Sequence, residues 1–151
     1  MSMSKDFANA LAKLLFNGTP IPGVAINATE APLDGFYFAL HTANPGATGT
    51  QGTSELAYPE YARVKVARTS VGWTVTDNLV RPAVAVEFPA MQAASGGGVV
   101  THFSVGAQAD GAGMVYARGT IEPVLTIARG DTPRLLPSTT LTLVADDVQG
   151  G

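Results

Sequence analysis

The chain contains no cysteine. Disulfides and thiolate metal sites are therefore excluded, and any core must be held by packing and hydrogen bonds alone. Charge is scarce as well: Asp, Glu, Lys and Arg make up 14% of the 151 residues, against about 25% in an ordinary soluble domain. Nine basic and twelve acidic side chains give a formal net charge of -3 and an isoelectric point near 5.2. The basic residues are spread along the chain, so the electrostatic footprint of a nucleic-acid binder is missing and no nucleic-acid partner is expected. No apolar run approaches the roughly 20 residues that span a bilayer, so no membrane association is expected. The N-terminal MSMSKDFANALAKLLF is broken by Asp6, Asn9 and Lys13, which is not the pattern of a secretory leader. A soluble protein made in the cytoplasm is expected.

Catalytic signatures are equally thin. His41 and His102 are the only histidines, and neither has a carboxylate at i+4 or a second histidine close by, so zincin spacing is absent. There is no GxSxG elbow around any serine and no Walker or GxGxxG phosphate loop. The run AASGGG at 93–98 precedes the strand-like VVTHFSV and reads as a flexible loop. Carboxylates are scattered, and the adjacent pair Asp146-Asp147 near the C-terminus is expected to be solvated. No catalytic, cofactor-binding or metal-ligating residue is assigned, no cofactor is expected, and the chain reads as a non-enzyme. A glycan-cleaving enzyme is the remote alternative, because no carboxylate pair is singled out.

Hydrophobic residues at 46% are ordinary, so Thr, Gly, Ser and Ala stand where charge is missing. Such a neutral surface gives little self-repulsion and suits a subunit packed against others. The length fits one domain over 1–151. At its start Phe7, Leu11, Leu14 and Leu15 recur at i, i+4, i+7 and i+8, which predicts a helix over 4–17 with Ser4 as cap and Asn17-Gly18 as stop. This apolar face either covers one end of the core or docks on a neighbouring subunit.

Beyond the helix the period changes to two. Strands are predicted at Gly35–His41, Tyr61–Ala67, Gly72–Thr76, Ala83–Phe88, Val99–Val105, Met114–Gly119, Glu122–Ala128 and Thr139–Ala145, each with one wet face. Asn44-Pro45-Gly46, Asp77-Asn78 and Asp110-Gly111 supply turns. The fold class is all-β: an antiparallel β-sandwich or jelly-roll-like domain of about eight strands over 35–146, with a short N-terminal α-helix. Arg63, Lys65 and Arg68 read as a polar strand face. It is either a positively guarded edge or a contact for an acidic partner surface, which makes Arg63 and Lys65 docking candidates beside Phe7, Leu11, Leu14 and Leu15. From His41 to Ser54 the chain carries no formal charge, and this loop reads as available for burial against a neighbour.

The ordered motifs FALHTANPG, YARVKVA, GWTV, VEFPA, VTHFSVG and TLTLVADD resemble, over roughly Lys5 to Asp147, a family of small bacteriophage virion proteins commonly labelled tail fibre or virion-associated proteins. Asn44 stands where the family pattern has Asp, which leaves the turn intact. The resemblance implies a virion location and a structural, non-enzymatic role. It makes a capsid decoration or cement protein the first expectation and a tail fibre or tail-tip component contacting the host surface the alternative. Expected partners are further copies of the chain, as a homo-oligomer and most simply a trimer, and other virion proteins such as the major capsid or tail proteins.

Overall fold

The computed structural model describes residues 5–21 and 33–142. It shows an antiparallel all-β protein with one N-terminal helix, as the sequence predicts. The elements are α1 (Lys5–Asn17), β1 (Gly35–His41), β2 (Val64–Ala67), β3 (Trp73–Thr76), β4 (Leu79–Pro82), β5 (Val86–Glu87), β6 (Gly98–Gly106), β7 (Val115–Ile127), β8 (Arg134–Leu135) and β9 (Leu141–Thr142). They fall into two compact units, one holding α1, Ala67–Val84 and the segment from Leu136, the other Gly35–Val66 and Ala85–Leu135.

In the first unit α1 packs on β3, and β3, β4 and β9 form a three-stranded sheet in that order. The helix buries Ala8, Ala12 and Phe16, a stripe at i, i+4 and i+8 whose two small residues let the strand approach closely. Phe16 meets the fully buried Trp73 with ring centroids 4.7 Å apart. The expected apolar face is thus rotated: Leu11 and Leu14 are half-buried, Leu15 is exposed, and the side chain of Phe7 lies outside the described residues, as does Ser4. Two methyl groups beside a large ring pair outweigh the leucines because the ring pair fills the available space. At the other end Gly18 turns left-handed (φ 66°) and the Thr19 N–H closes on the Lys13 carbonyl at 3.1 Å. The carbonyls of Leu14 and Leu15 are then met by the Arg68 guanidinium, each at 2.5 Å. Arg68 also donates to the Leu33 carbonyl. It is a helix cap supplied from another part of the chain, with a cation at the negative helix end.

The second unit carries a four-stranded sheet in the order β2-β1-β6-β7 and a small β5-β8 pair. Strand β1 pairs antiparallel with β6 from Tyr37↔Gly106 to His41↔His102. Phe38, Leu40, Phe103 and Val105 share one face, where Phe38 and Phe103 stack. Gly119 of β7 makes room there, since a Cβ on it would lie 2.6 Å from the Phe103 ring. Nearly all of β1 is buried, on both faces.

Several expected boundaries move. One thirteen-residue strand, β7, replaces two expected strands, because Ile121 to Val124 bulge opposite Thr101 without ending the pairing with β6. Ala83–Phe88 contracts to Val86–Glu87, and the returning strand Leu79–Pro82 and the two-residue β8 are additions. Of the expected Thr139–Ala145, Leu141–Thr142 is a strand and 143–145 lie outside the described residues. The AASGGG run is held rather than loose. Gly96, Gly97 and Gly98 all have positive φ, the Gly97 N–H donates to Ala57 O at 2.9 Å, and a Cβ there would strike the Ile127 carbonyl.

These contacts rank the helix positions. Phe16→Ala is expected to lower stability by about 3–5 kcal/mol, whereas Leu15→Ala stays within about 1 kcal/mol. Chemical denaturation of the two variants checks the order; equal losses contradict the rotated face.

Candidate functional site

The loop after β1 folds back over the polar face of its own sheet. Asn44-Pro45-Gly46 makes the expected turn, with Gly46 at φ 79° and its N–H bonded to Asn44 Oδ1 at 2.9 Å. The chain then returns, so that Thr42 N–H reaches Ser54 O and Leu56 N–H reaches Leu40 O, both at 2.8 Å. Gln51 is fully buried. Its main-chain N–H donates to Gly113 O at 2.7 Å and its Nε2 to Tyr37 O at 2.9 Å. Gly106 and Gly113 leave space for this side chain, because a Cβ on either would run into its Oε1. The uncharged loop is thus anchored to its own unit through Gln51, while Thr42 to Asn44, Ala47, Thr48 and Gly52 to Ser54 remain exposed.

Below the loop lies a connected polar network. Arg63, expected on a wet face with Lys65, is turned inward with a side chain 2% exposed. Strand β2 begins only at Val64, so Arg63 is outside the alternation that leaves Lys65 exposed. Its Nε and Nη2 donate to the two Glu55 carboxylate oxygens at 2.7 Å each. Nη2 also donates to Gly111 O at 2.6 Å, and Nη1 to Gln108 O at 3.1 Å and Gln51 Oε1 at 3.5 Å. All five guanidinium donors are engaged. The hydrogen bonds that Arg63 donates to Glu55 hold its pKa above its ordinary value. Tyr61 completes the chain: its hydroxyl accepts from Leu40 N–H at 2.9 Å and donates to Glu55 at 3.1 Å. Burial pushes its phenol pKa well up.

His41 sits beside this network with no exposed surface. A carbonyl can only accept, so the 2.9 Å contact with Thr53 O puts the proton on Nδ1. Nε2 then accepts from the Ser104 hydroxyl at 2.7 Å. Burial lowers the His41 pKa; the Thr53 bond and the Glu55 charge act the other way. A Ser-His pair resembles part of a nucleophilic triad, but Ser104 is also fully buried and the third group is a backbone carbonyl instead of a carboxylate. The pair pins loop to sheet and offers no path to a substrate. His102, its cross-strand neighbour, bonds Thr101 Oγ1 through Nδ1 at 2.8 Å. Among the described residues no three His, Cys, Asp or Glu gather as metal ligands.

The network opens onto one cleft of about 280 Å³, lined by Glu55, Tyr58, Tyr61, Arg63, Asp110 and Gly111 among others. Tyr58 and Tyr61 meet edge to face at 5.4 Å, and Tyr61 stacks on Phe88 at 6.1 Å. Their rings are committed to the wall. Glu55, held by both arms of Arg63, is no free base. The other carboxylate of the lining is Asp110. Of the sequence-predicted docking residues, Leu15 and Lys65 are exposed, Leu11 and Leu14 are half-buried, and Arg63 is enclosed. Gln51, Glu55, Tyr61 and Ser104 escaped sequence reading, since partners far apart in the chain leave no spacing signal.

Removing one partner of this buried ion pair is expected to be costly. Arg63→Ala should lose about 3–5 kcal/mol of stability. Arg63→Lys, which keeps the charge but not the planar fork, should lose about 1–3 kcal/mol. Equilibrium unfolding measures both, and a wild-type value for Arg63→Ala contradicts the central role of the guanidinium.

No curated protein matches the sequence. A family described as Podophage GP4 fiber I protein gp80 matches it over residues 2–143, in agreement with the phage virion resemblance carried by the motifs. With nearly the whole chain covered, the protein belongs to the podophage GP4 fiber I protein gp80 family and is a virion structural protein of a bacteriophage.

Proposed function

We propose that the chain is a non-enzymatic subunit of the phage fibre apparatus at the tail, working through association with copies of itself and with other tail proteins. The observation that carries this reading is the fibre-family match over residues 2–143. The chemistry supports it: the Ser104–His41 pair is sealed, and Glu55, one of the two carboxylates lining the cleft, is neutralised by Arg63. The surface supports association. Only 14% of residues are charged, so packing two such surfaces together desolvates few ions. Large apolar side chains are left in the open in each unit. Val71 and Val84, 80% and 67% exposed, flank the Gly72–Ala83 hydrogen bond in the first. Met114 and Tyr116 stand at the start of β7 in the second.

Immunogold labelling of intact particles is expected to mark the tail; gold over the head would favour the capsid-decoration alternative. Sedimentation of the purified chain at micromolar concentration is expected to give a mass above the 15.5 kDa monomer. Val71→Ser with Val84→Ser should weaken that association while changing stability by no more than about 0.5 kcal/mol per site.

A further inference from the structure

We propose that the loop from Thr42 to Ser54 is an acid-released flap, latched onto its own sheet by the buried imidazole of His41. The proposal is independent of where on the particle the protein sits.

The geometry is that of a closed loop fastened to the sheet through an imidazole, with the Arg63–Gln51 and Arg63–Glu55 bonds beside it. Its two ends are drawn together by the His41↔Glu55 bridge and by the Thr42–Ser54 and Leu56–Leu40 main-chain bonds. Its body is tied to neighbouring segments by Gln51. From Thr42 to Ser54 there is no ionisable side chain, so the loop itself is insensitive to pH. His41 joins the two layers, with Nδ1 on the loop carbonyl of Thr53 and Nε2 on Ser104 of β6. The neutral ring lets the buried Ser104 hydroxyl place its proton on Nε2. A second proton on Nε2 would turn this hydrogen bond round, and the displaced hydroxyl proton of Ser104, which has no exposed surface, would have to find another acceptor. The charged groups acting on the ring are Glu55, Arg63 and His102. Glu55 favours an imidazolium, but its carboxylate is already engaged by both arms of Arg63. Arg63 and a protonated His102 oppose it.

The sign of the coupling follows. In the open loop the ring is hydrated and titrates near its ordinary value of about 6.5; in the latched loop burial holds it lower. The latch is therefore fully effective above about pH 6.5 and weakens as pH falls below that value, until the latched ring itself takes a proton. At pH 5 the open form can gain at most about thirtyfold from this one group. Opening would uncover Gln51 and the polar face of β1 and β6, presenting an uncharged surface.

Amide hydrogen exchange on the full chain at pH 7.5 and pH 5, corrected for intrinsic rates, tests the flap, with an NMR titration of the His41 ring alongside. Protection of the Gln51 and Thr53 amides is expected to fall by several-fold up to about thirtyfold at the lower pH. The loss should share its midpoint with the ring titration, while β6 amides keep their protection. In His41→Gln the loop amides should show no such pH dependence. The coincidence of midpoints in the native chain decides the matter if that variant does not fold. Loop protection that is the same at both pH values overturns the proposal, as does an equal loss in His41→Gln or a parallel loss throughout β6.

Discussion

Burying the Arg63 guanidinium is the constraint around which the second unit is arranged. Taking a cation out of water costs several kcal/mol unless each donor finds an acceptor. A guanidinium has five donors in one plane, so its partners must come from set directions. They come from two connections: the Glu55 carboxylate and Gln51 amide of the loop after β1, and the carbonyls of Gln108 and Gly111 between β6 and β7. The side chain at the entrance to β2 thus sets the path of two loops, and those loops define the cleft.

The same arrangement explains why the loop is polar yet uncharged. One face of the β1-β6 pair is an ordinary apolar core built on Phe38, Leu40, Phe103 and Val105. The other, with Ala39, His41 and Ser104, is covered by the loop. A cover for such a face must offer hydrogen bonds and still tolerate dehydration, which amides and hydroxyls do far better than ions. Gln51, reaching Tyr37 O from a space kept open by Gly106, is that solution. Pro45 and Gln51 are the buried residues of this loop, while Thr42 to Asn44, Ala47, Thr48 and Gly52 to Ser54 are exposed, so the uncharged stretch both seals its own sheet through Gln51 and leaves a neutral outer surface.

What could be read in the sequence follows from how local each signal is. Strand β1 was delimited correctly because its composition changes sharply at Gly35 and His41, and the Asn44-Pro45-Gly46 turn because its chemistry lies in three consecutive residues. The helix is legible but its face is not: hydrophobicity ranks Leu15 above Ala12, yet Ala12 is buried in line with Ala8 and Phe16 while Leu15 is exposed. Arg63 was misplaced for a similar reason. Alternation in YARVKVA implies an outward arginine only if the strand already runs through it, and that depends on Glu55, Gln108 and Gly111, which no local pattern connects to it.

Strand β7 has a consequence for how a virion protein meets its neighbours. It is the long outer strand of its sheet, and an outer strand is ordinarily an open template for another chain. Here its exposed positions include Arg118, Glu122 and Pro123, and Ile121 to Val124 bulge away from a regular ladder. At the opposite margin β2 is four residues long and presents Lys65. Both margins of the sheet therefore resist open-ended strand addition, so crowding many copies together favours contacts between side chains, which can be limited in number, over a growing backbone ladder, which cannot.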